Sequence, residues 1–327
     1  MPVRGTNGGH VGKKARRAPT TVPIGGDVGP RQPCPCGSGR RFKACHGGAD
    51  PSTPYVARTF HGLPGECDWV ALREFVPAAT ATLQLREGAY DGVADGRTVT
   101  VTTVLPGIAP ALVRPDGEIR LAVQVAHQST DASRDLAEAL FQALRAQPGE
   151  SVEMTSLPGP GPRLQDVVDM DGDFTVTVLD GFDFWFDDSA NPDGQAAATL
   201  ENLNSAIDPT ERLEGVDAAY WTSVATKEHL RWVLPDDEDT LLSALARLHA
   251  AGADHLGSDS RLVGSLRAHG LLVPVWDLPT GTGAAALEEP ASDFGDRLAE
   301  ALTDTSALTV EQRAARNGLA NRQVTIR

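Results

Sequence analysis

The run Cys34-Pro-Cys-Gly-Ser-Gly-Arg-Arg-Phe-Lys-Ala-Cys-His46 decides how the N-terminal region of this 327-residue chain can fold. It holds three of the chain's four cysteines, as Cys-x-Cys followed by eight residues and then Cys-His. Thiolates and imidazole are ligands that zinc prefers, and a closed structural site takes four of them in a tetrahedron. The spacing therefore predicts a small zinc element. A disulfide or unligated thiols are the alternatives, although Cys34 and Cys36 lie too close together for an easy disulfide.

These residues resemble the SEC-C motif, a small zinc-binding element found at the C-terminus of SecA translocation ATPases and in many otherwise unrelated bacterial proteins. The family pattern is roughly C-x-C-G-S-G-x-x-x-K-x-C-[CH], and the matching positions here are Cys34, Cys36, Gly37, Ser38, Gly39, Lys43, Cys45 and His46. The resemblance implies one structural Zn²⁺ with Cys34, Cys36, Cys45 and His46 as its ligands. In SecA the related element contacts the chaperone SecB and ribosomes, which implies a chaperone, a ribosome-associated protein or RNA as the partner here.

The charge of the chain is strongly asymmetric. Residues 1–46 hold nine Lys and Arg residues and one acid, Asp27, so this head carries +8 of the chain's net charge of −15 and the remainder carries −23. A basic head on an acidic body favours contact with an acidic partner through the head alone. The candidate partner-binding residues are Lys13, Lys14, Arg16, Arg17, Arg40, Arg41 and Lys43. A merely solubilising tail is the alternative.

Bulk composition predicts a cytoplasmic protein without a membrane span. No apolar run approaches the roughly 18 residues that a spanning helix needs, and no apolar core of a signal peptide is evident. Three of four cysteines in a metal pattern indicate a reducing compartment, with Cys67 as an ordinary core thiol. No intact phosphate-loop or dinucleotide motif is present, so no nucleotide is expected.

The chain divides into four predicted regions. Residues 1–30 lack large apolar side chains and predict a disordered basic tail. Residues 31–48 form the zinc element, and the body consists of one or two similar-sized units, placed at 49–160 and 161–327 around a Pro-Gly-rich loop. Strands and helices interleave in the body without a strict βαβ rhythm, which predicts an α+β fold.

Local patterns predict individual elements of the body. Leu136, Leu140 and Leu144 form an i, i+4 stripe, which predicts a helix over 131–145. The alternating run 98–105 predicts a strand with one buried face, and 271–276 a further strand. The aromatic run 182–186 is interpreted as an apolar strand. Residues 260–268 are interpreted as a helix, and His269 as its C-terminal cation.

Acidic residues of the body suggest a second class of function. The turn Asp169-Met-Asp-Gly-Asp173 resembles the start of a calcium-binding loop, and the acids Asp180, Asp183, Asp187 and Asp188 interleave with aromatic residues. Paired carboxylates next to aromatics are typical of glycan-cleaving enzymes, whereas acids that alternate with aromatics along a strand need no catalytic role. The calcium-loop pattern fails because Gly172 precedes the third acid.

The sequence thus favours a zinc-binding adaptor protein without a recognised catalytic residue. The alternative is an enzyme with an acidic site in the body, recruited by its zinc element. A structural protein with an unused zinc element is the third option. Beyond the motif, the body is similar to an uncharacterised bacterial family in which a basic tail and a SEC-C element precede a domain of unknown function.

Overall fold

A computed structural model describes residues 31–32, 41, 55–89, 97–125, 129–186, 194–257, 259–322 and 324. Within these ranges the α-helices are α1 (Glu66–Glu74), α2 (Ala132–Arg145), α3 (Gly194–Asn204), α4 (Glu238–Ala250), α5 (Glu288–Thr303) and α6 (Val310–Asn321). Short 3₁₀ turns occur at Pro106–Ile108, Leu164–Asp166, Asp183–Trp185 and Ala285–Leu287. The predicted disordered tail lies outside the described residues. None of the described helices is long and apolar enough to cross a bilayer.

The first sheet has the strand order β5-β3-β4-β2-β1-β6. Its strands are β1 (Ala79–Leu83), β2 (Val99–Thr102), β3 (Ala111–Val113), β4 (Ile119–Ala122), β5 (Ser151–Val152) and β6 (Val176–Val178). All pairs are antiparallel except β2 with β4, whose connection passes through β3. One face of the sheet is apolar because alternate residues such as Val99, Val101, Ile119 and Leu121 are fully buried.

The second sheet has the order β10-β11-β9-β8-β7 and is antiparallel throughout. Its strands are β7 (Thr210–Arg212), β8 (Ala219–Val224), β9 (Lys227–Trp232), β10 (Arg261–Ala268) and β11 (Leu271–Leu278). Both faces are covered, so neighbouring residues of one strand enter different cores. Tyr220 packs with the first core and Trp221 with the second.

The two cores give the body a layered architecture. The first core joins the inner face of the first sheet, helices α1 and α2, and one face of the second sheet. The second core lies between the other face of the second sheet and helices α4, α5 and α6, with Trp276 and Phe294 at its centre. Because Tyr220 and Val273 belong to the first core, the two predicted units share buried surface. The boundary near residue 160 stays a prediction.

The mixed α+β class predicted from the sequence is confirmed. The leucine stripe lies on α2, where Leu136, Leu140 and Leu144 are all buried, and Asp131 caps the helix by accepting from the Arg134 amide. Fully burying each leucine contributes about 1.5–3 kcal/mol. The strands expected at 98–105 and 271–276 are β2 and β11.

The helix predicted at 260–268 is wrong, because these residues form β10. Leu262 and Leu266 are four residues apart and imitate a helical stripe. A β-bulge between Leu262 and Gly264 changes the alternation, so Leu262 enters the second core and Leu266 the first. His269 consequently lies in the β10–β11 turn with φ 47°, and its Nε2 is 2.9 Å from Oε1 of Glu74.

The strand predicted at 182–186 is also wrong. Residues Asp183–Trp185 form a 3₁₀ turn. The ring of Phe182, which precedes the turn, stacks on that of Trp185 with a centroid distance of 4.8 Å. Together with Leu200 of α3 they form a small third apolar cluster around Ala78. In a strand, Phe182, Phe184 and Phe186 would share one face and Trp185 would point to the other, whereas the turn brings Trp185 into the same cluster.

Candidate metal element and the cleft in the body

The predicted zinc ligands lie outside the described residues, so the structure gives no geometry for them. The same holds for most of the basic partner-binding candidates. These residues are Cys34, Cys36, Cys45 and His46 among the ligands, and Lys13, Lys14, Arg16, Arg17, Arg40 and Lys43 among the cations. Arg41 is described and is exposed. The donor set of three thiols and one imidazole fits a closed structural zinc site by its chemistry. Among the described residues, no three or more His, Cys, Asp or Glu side chains are grouped so that they could hold a metal ion.

Most of the acids on which the enzyme hypothesis rests are exposed where the structure describes them. Asp171, Asp173, Asp180 and Asp183 are exposed, and Asp169 is half-buried. The Asp169 carboxylate accepts from the Asp171 amide at 3.1 Å, which is the contact of a tight turn. Asp187 and Asp188 lie outside the described residues. The described acids of this segment do not line the cleft presented below.

A buried carboxylate, Asp131, instead holds the Pro-Gly-rich loop against α2. Its oxygens accept from Thr59 Oγ1 at 2.7 Å and from Nε of Arg163 at 2.6 Å. Arg163 also donates to the Thr59 carbonyl at 2.7 Å. Each of these polar groups has a partner within the protein, which is the pattern of a structural network.

Asp135, in the first turn of α2, is less well satisfied. Its Oδ2 accepts from the Ser129 amide at 2.7 Å, but its Oδ1 and the Nη2 of nearby Arg73 are buried without a hydrogen-bond partner. Burial raises the pKa of Asp135 above its ordinary value, although the Ser129 contacts and the charge of Arg73 oppose the shift. Residues 126–128 beside Ser129 lie outside the described part of the chain.

A cleft of about 720 Å³ lies between the first turn of α1, the loop 216–218, the end of β9 and helix α5. Its lining is mostly apolar and includes Trp232, Leu298 and Leu302. Four acidic residues belong to the same lining: Glu66, Asp68, Asp217 and Asp236. Glu66 and Asp68 are far in the sequence from Asp217 and Asp236, and the two pairs meet only through the packing of α1 on the second sheet.

Two of the four carboxylates are neutralised by arginines. Arg58 donates to Glu66 from Nε at 2.5 Å and from Nη2 at 2.9 Å, and this hydrogen bond is the main cause that raises the pKa of Arg58. Arg212 of β7 makes a paired contact with buried Asp68 at 3.0 and 3.2 Å. Burial alone would lower the pKa of Arg212, but the hydrogen bond and charge of Asp68 raise it. Both pairs are bidentate, the strong form of such contacts.

Tyr220 completes a buried network with Asp68. Its hydroxyl donates to Asp68 Oδ1 at 2.6 Å, and burial, followed by the Asp68 charge, raises the pKa of Tyr220 well above its ordinary value. The network joins α1 to β7 and β8, so Asp68 positions the helix that forms one wall of the cleft. Its oxygens are committed to these partners, which is the pattern of a structural carboxylate.

Cys67 lies on the cleft wall between Glu66 and Asp68, as a free and partly buried thiol. Burial, followed by the negative charges of its two neighbours, raises its pKa to about 12. The thiolate is the nucleophilic form of cysteine, so this side chain is unreactive near neutral pH. The sequence-based assignment of Cys67 as an ordinary thiol agrees with this environment.

The remaining two carboxylates leave the cleft with negative charge. Asp217 is fully exposed and lies 3.8 Å from Arg212, a distance at which solvent screens the contact. Asp236 is half-buried, and its charge contributes to the raised pKa of Arg58. Neither Asp236 nor the acids beside Cys67 were among the candidate site residues predicted from the sequence. The charge-rich segments Glu66–Asp68 and Asp236–Asp239 were the available signal.

Comparisons with known proteins give separate matches for the N-terminal head and for the body of the chain. Residues 31–48 match the SEC-C motif. A segment of 39 residues is 46% identical to the protein translocase subunit SecA of Delftia acidovorans (strain DSM 14801 / SPH-1), and it covers 12% of this chain and 4% of that protein. The chain therefore spans only a small fraction of that relative. No solved structure matches this chain.

The body accounts for the larger match. Residues 59–327 match the family of unknown function DUF5926 along the whole stretch that contains both sheets and the cleft. This agrees with the sequence-based expectation of a SEC-C element that precedes a domain of unknown function. The chain belongs to the DUF5926 family and carries a SEC-C motif in front of the family domain.

Proposed function

We propose that this chain is a cytoplasmic zinc-binding adaptor whose SEC-C element and basic tail contact a chaperone, a ribosome-associated protein or RNA. The observation that carries the proposal is the complete ligand pattern Cys34, Cys36, Cys45 and His46 inside a segment similar to SecA. Four of the five described acids of the segment 169–188 are exposed and the fifth, Asp169, belongs to a tight turn, which gives the alternative of an acidic active site there no support.

The proposed zinc has a structural role. Four protein ligands complete the tetrahedral coordination and leave no position for a reacting water. Zinc binding in small peptides of this kind contributes roughly 10–16 kcal/mol at neutral pH, so we expect the element to fold only with its metal. When folded, it presents Arg40, Arg41 and Lys43 from a compact unit.

Charge separates the proposed contact surface from the rest of the protein. The head carries +8 and the remainder −23. A polyanion is attracted by the head and repelled by the body, so binding through the head should weaken as salt rises. The same asymmetry suits an acidic protein surface.

Cross-linked pull-down from native cytosol tests the proposal, with the full chain compared with a deletion of residues 1–48. A second comparison uses the full chain with Arg40, Arg41 and Lys43 changed to glutamine. We expect both changes to remove the specific partner, while Arg261→Gln, which removes an exposed arginine of the body, retains it. Nuclease treatment before capture separates an RNA partner from a protein. Recovery of the same partner by the deletion variant would overturn the proposal.

A further inference from the structure

We propose that the cleft between α1, β9 and α5 is the docking site for residues 11–24 of the same chain, the basic part of the N-terminal tail. This inference goes beyond the adaptor function, because it gives the tail a second, intramolecular binding site. It does not depend on zinc binding or on the identity of any partner.

The cleft has the chemistry to bind a segment that is both basic and apolar. Its lining is mostly apolar, with Trp232, Leu298 and Leu302 among the apolar side chains. Of its four carboxylates, Glu66 and Asp68 are paired with Arg58 and Arg212. Asp236 has no close arginine partner, and Asp217 only approaches the already paired Arg212 at 3.8 Å, so four carboxylates of the lining face two guanidinium groups.

Residues 11–24 provide the complementary pattern. Their sequence is Val-Gly-Lys-Lys-Ala-Arg-Arg-Ala-Pro-Thr-Thr-Val-Pro-Ile, with four cations within five positions and the apolar residues Val22 and Ile24 soon afterwards. The cations match the two carboxylates without a close arginine partner, and the apolar residues match the apolar part of the lining. Opposite charge selects the partner and its orientation, while apolar burial supplies most of the affinity.

The connection of the tail to the body favours this occupant over an external peptide. The continuous described chain begins at Tyr55, and only three residues later Arg58 forms the ion pair with Glu66 on the cleft wall. The chain therefore joins the body beside the cleft. Six residues, 49–54, separate the SEC-C match from Tyr55, and a fully extended chain spans at most about 3.3–3.6 Å per residue. The tail is thus tethered close to a complementary site, which makes its binding an intramolecular event.

Docking would occupy the same cations that the adaptor function assigns to a partner. Lys13, Lys14, Arg16 and Arg17 cannot contact the cleft and a separate acidic surface at the same time. The cleft therefore competes with the partner for the tail, and an acidic partner must displace it. The competition should weaken with salt, because both contacts depend on charge.

The distribution of lysine permits a direct test in the full-length protein. The chain has four lysines, of which Lys13, Lys14 and Lys43 are in the head and Lys227 is in the body. A carbodiimide joins a lysine amine directly to a carboxylate in contact with it. Because three of the four lysines lie in the head, most cross-links identify carboxylates that the head contacts. We expect intramolecular products that join Lys13 or Lys14 to Asp217 or Asp236 in the monomer, and their loss in high salt. Products spread over the exposed acids of the body, or formed only between molecules, would overturn the proposal.

A second measurement uses trypsin, which cleaves after Lys13, Lys14, Arg16 and Arg17. The double variant Asp217→Asn/Asp236→Asn removes the two carboxylates of the cleft that have no close arginine partner. We expect cleavage in the tail to become about fivefold faster, as the loss of two screened ion pairs implies. The matched control Asp171→Asn/Asp180→Asn removes two exposed acids that do not line the cleft and should cleave like the wild type. Equal rates for both double variants would contradict the proposal. Zinc content should be unchanged in all of them, so this result is separable from the adaptor hypothesis.

Discussion

Asp68 is the residue whose removal should most clearly loosen α1 from the second sheet. It is 5% exposed, and its two oxygens accept from Tyr220 and Arg212 at 2.6–3.2 Å. In Asp68→Ala the buried Tyr220 hydroxyl loses its acceptor, which costs about 1–3 kcal/mol. Breaking a fully buried ion pair costs about 3–5 kcal/mol, and we discount this because the Arg212 side chain is 22% exposed. We therefore expect a total loss of about 3 kcal/mol.

Urea unfolding of the full chain measures this loss, with tryptophan fluorescence and far-ultraviolet circular dichroism as parallel probes. Coincident transitions are required before the midpoints are converted to free energies. Asp217→Ala is the matched control, since Asp217 also approaches Arg212 but is fully exposed, and its midpoint should stay at the wild-type value. If Asp68→Ala unfolded at the same midpoint as Asp217→Ala, the structural role of Asp68 would be refuted. Tyr220→Phe should lose less than Asp68→Ala, and the double variant should show non-additive losses because the residues share one hydrogen bond.

Three further predictions follow from buried side chains of the body. The Glu228 carboxylate accepts hydrogen bonds from the amides of Gly281 and Gly283 and from the indole of Trp221. Burial opposes its ionisation, but these hydrogen bonds lower its pKa below the ordinary value. The stability that Glu228 provides is therefore present above about pH 4.3, the pKa of an unfolded glutamate, and is lost as the pH falls through the lower pKa of the folded state. Glu228→Gln should accordingly flatten the acid limb of a thermal-unfolding profile, and an unchanged limb would contradict this role. Cys67 should resist alkylation at pH 7 in the native protein and react after unfolding, as peptide mass spectrometry would detect; rapid native labelling would exclude a pKa of about 12. Leu140→Ala should lower the free energy of unfolding in urea by about 2–5 kcal/mol, because Leu140 is fully buried. Leu203→Ala, on the exposed side of α3, should lower it much less, and equal losses would contradict the position of the core.

Local patterns were sufficient to predict the elements that have one simple periodicity. The stripe of Leu136, Leu140 and Leu144 predicted α2 because all three residues face a single core. The same reasoning gave a wrong helix for residues 261–268, which form β10, because the bulge beside Gly264 directs Leu262 and Leu266 to opposite faces of the sheet. The bulge depends on the pairing of β10 with β11 and on the backbone of Arg322, whose carbonyl oxygen would lie 2.5 Å from a Cβ at position 264. Neither contact is visible in a local sequence pattern.

The residues that line the cleft could not be predicted from local sequence patterns either. Its carboxylates come from Glu66, Asp68, Asp217 and Asp236, which the sequence separates by up to 170 positions. Only the packing of α1 on the second sheet brings them together, so no spacing rule predicts them. The SEC-C element is the opposite case, because its four ligands lie within thirteen consecutive positions. Short-range chemistry is accessible from sequence, whereas a site assembled across two cores is not.

Metal analysis of the purified full-length chain tests the central proposal most directly. Native mass spectrometry and elemental analysis should find one zinc per wild-type chain purified without chelators. Cys67→Ser should keep this zinc because Cys67 is a free thiol of the body, and Cys36→Ser should lose it. A wild-type protein without zinc, or a Cys36→Ser variant that retains one zinc per chain, would contradict the assignment of Cys34, Cys36, Cys45 and His46 as a structural zinc site.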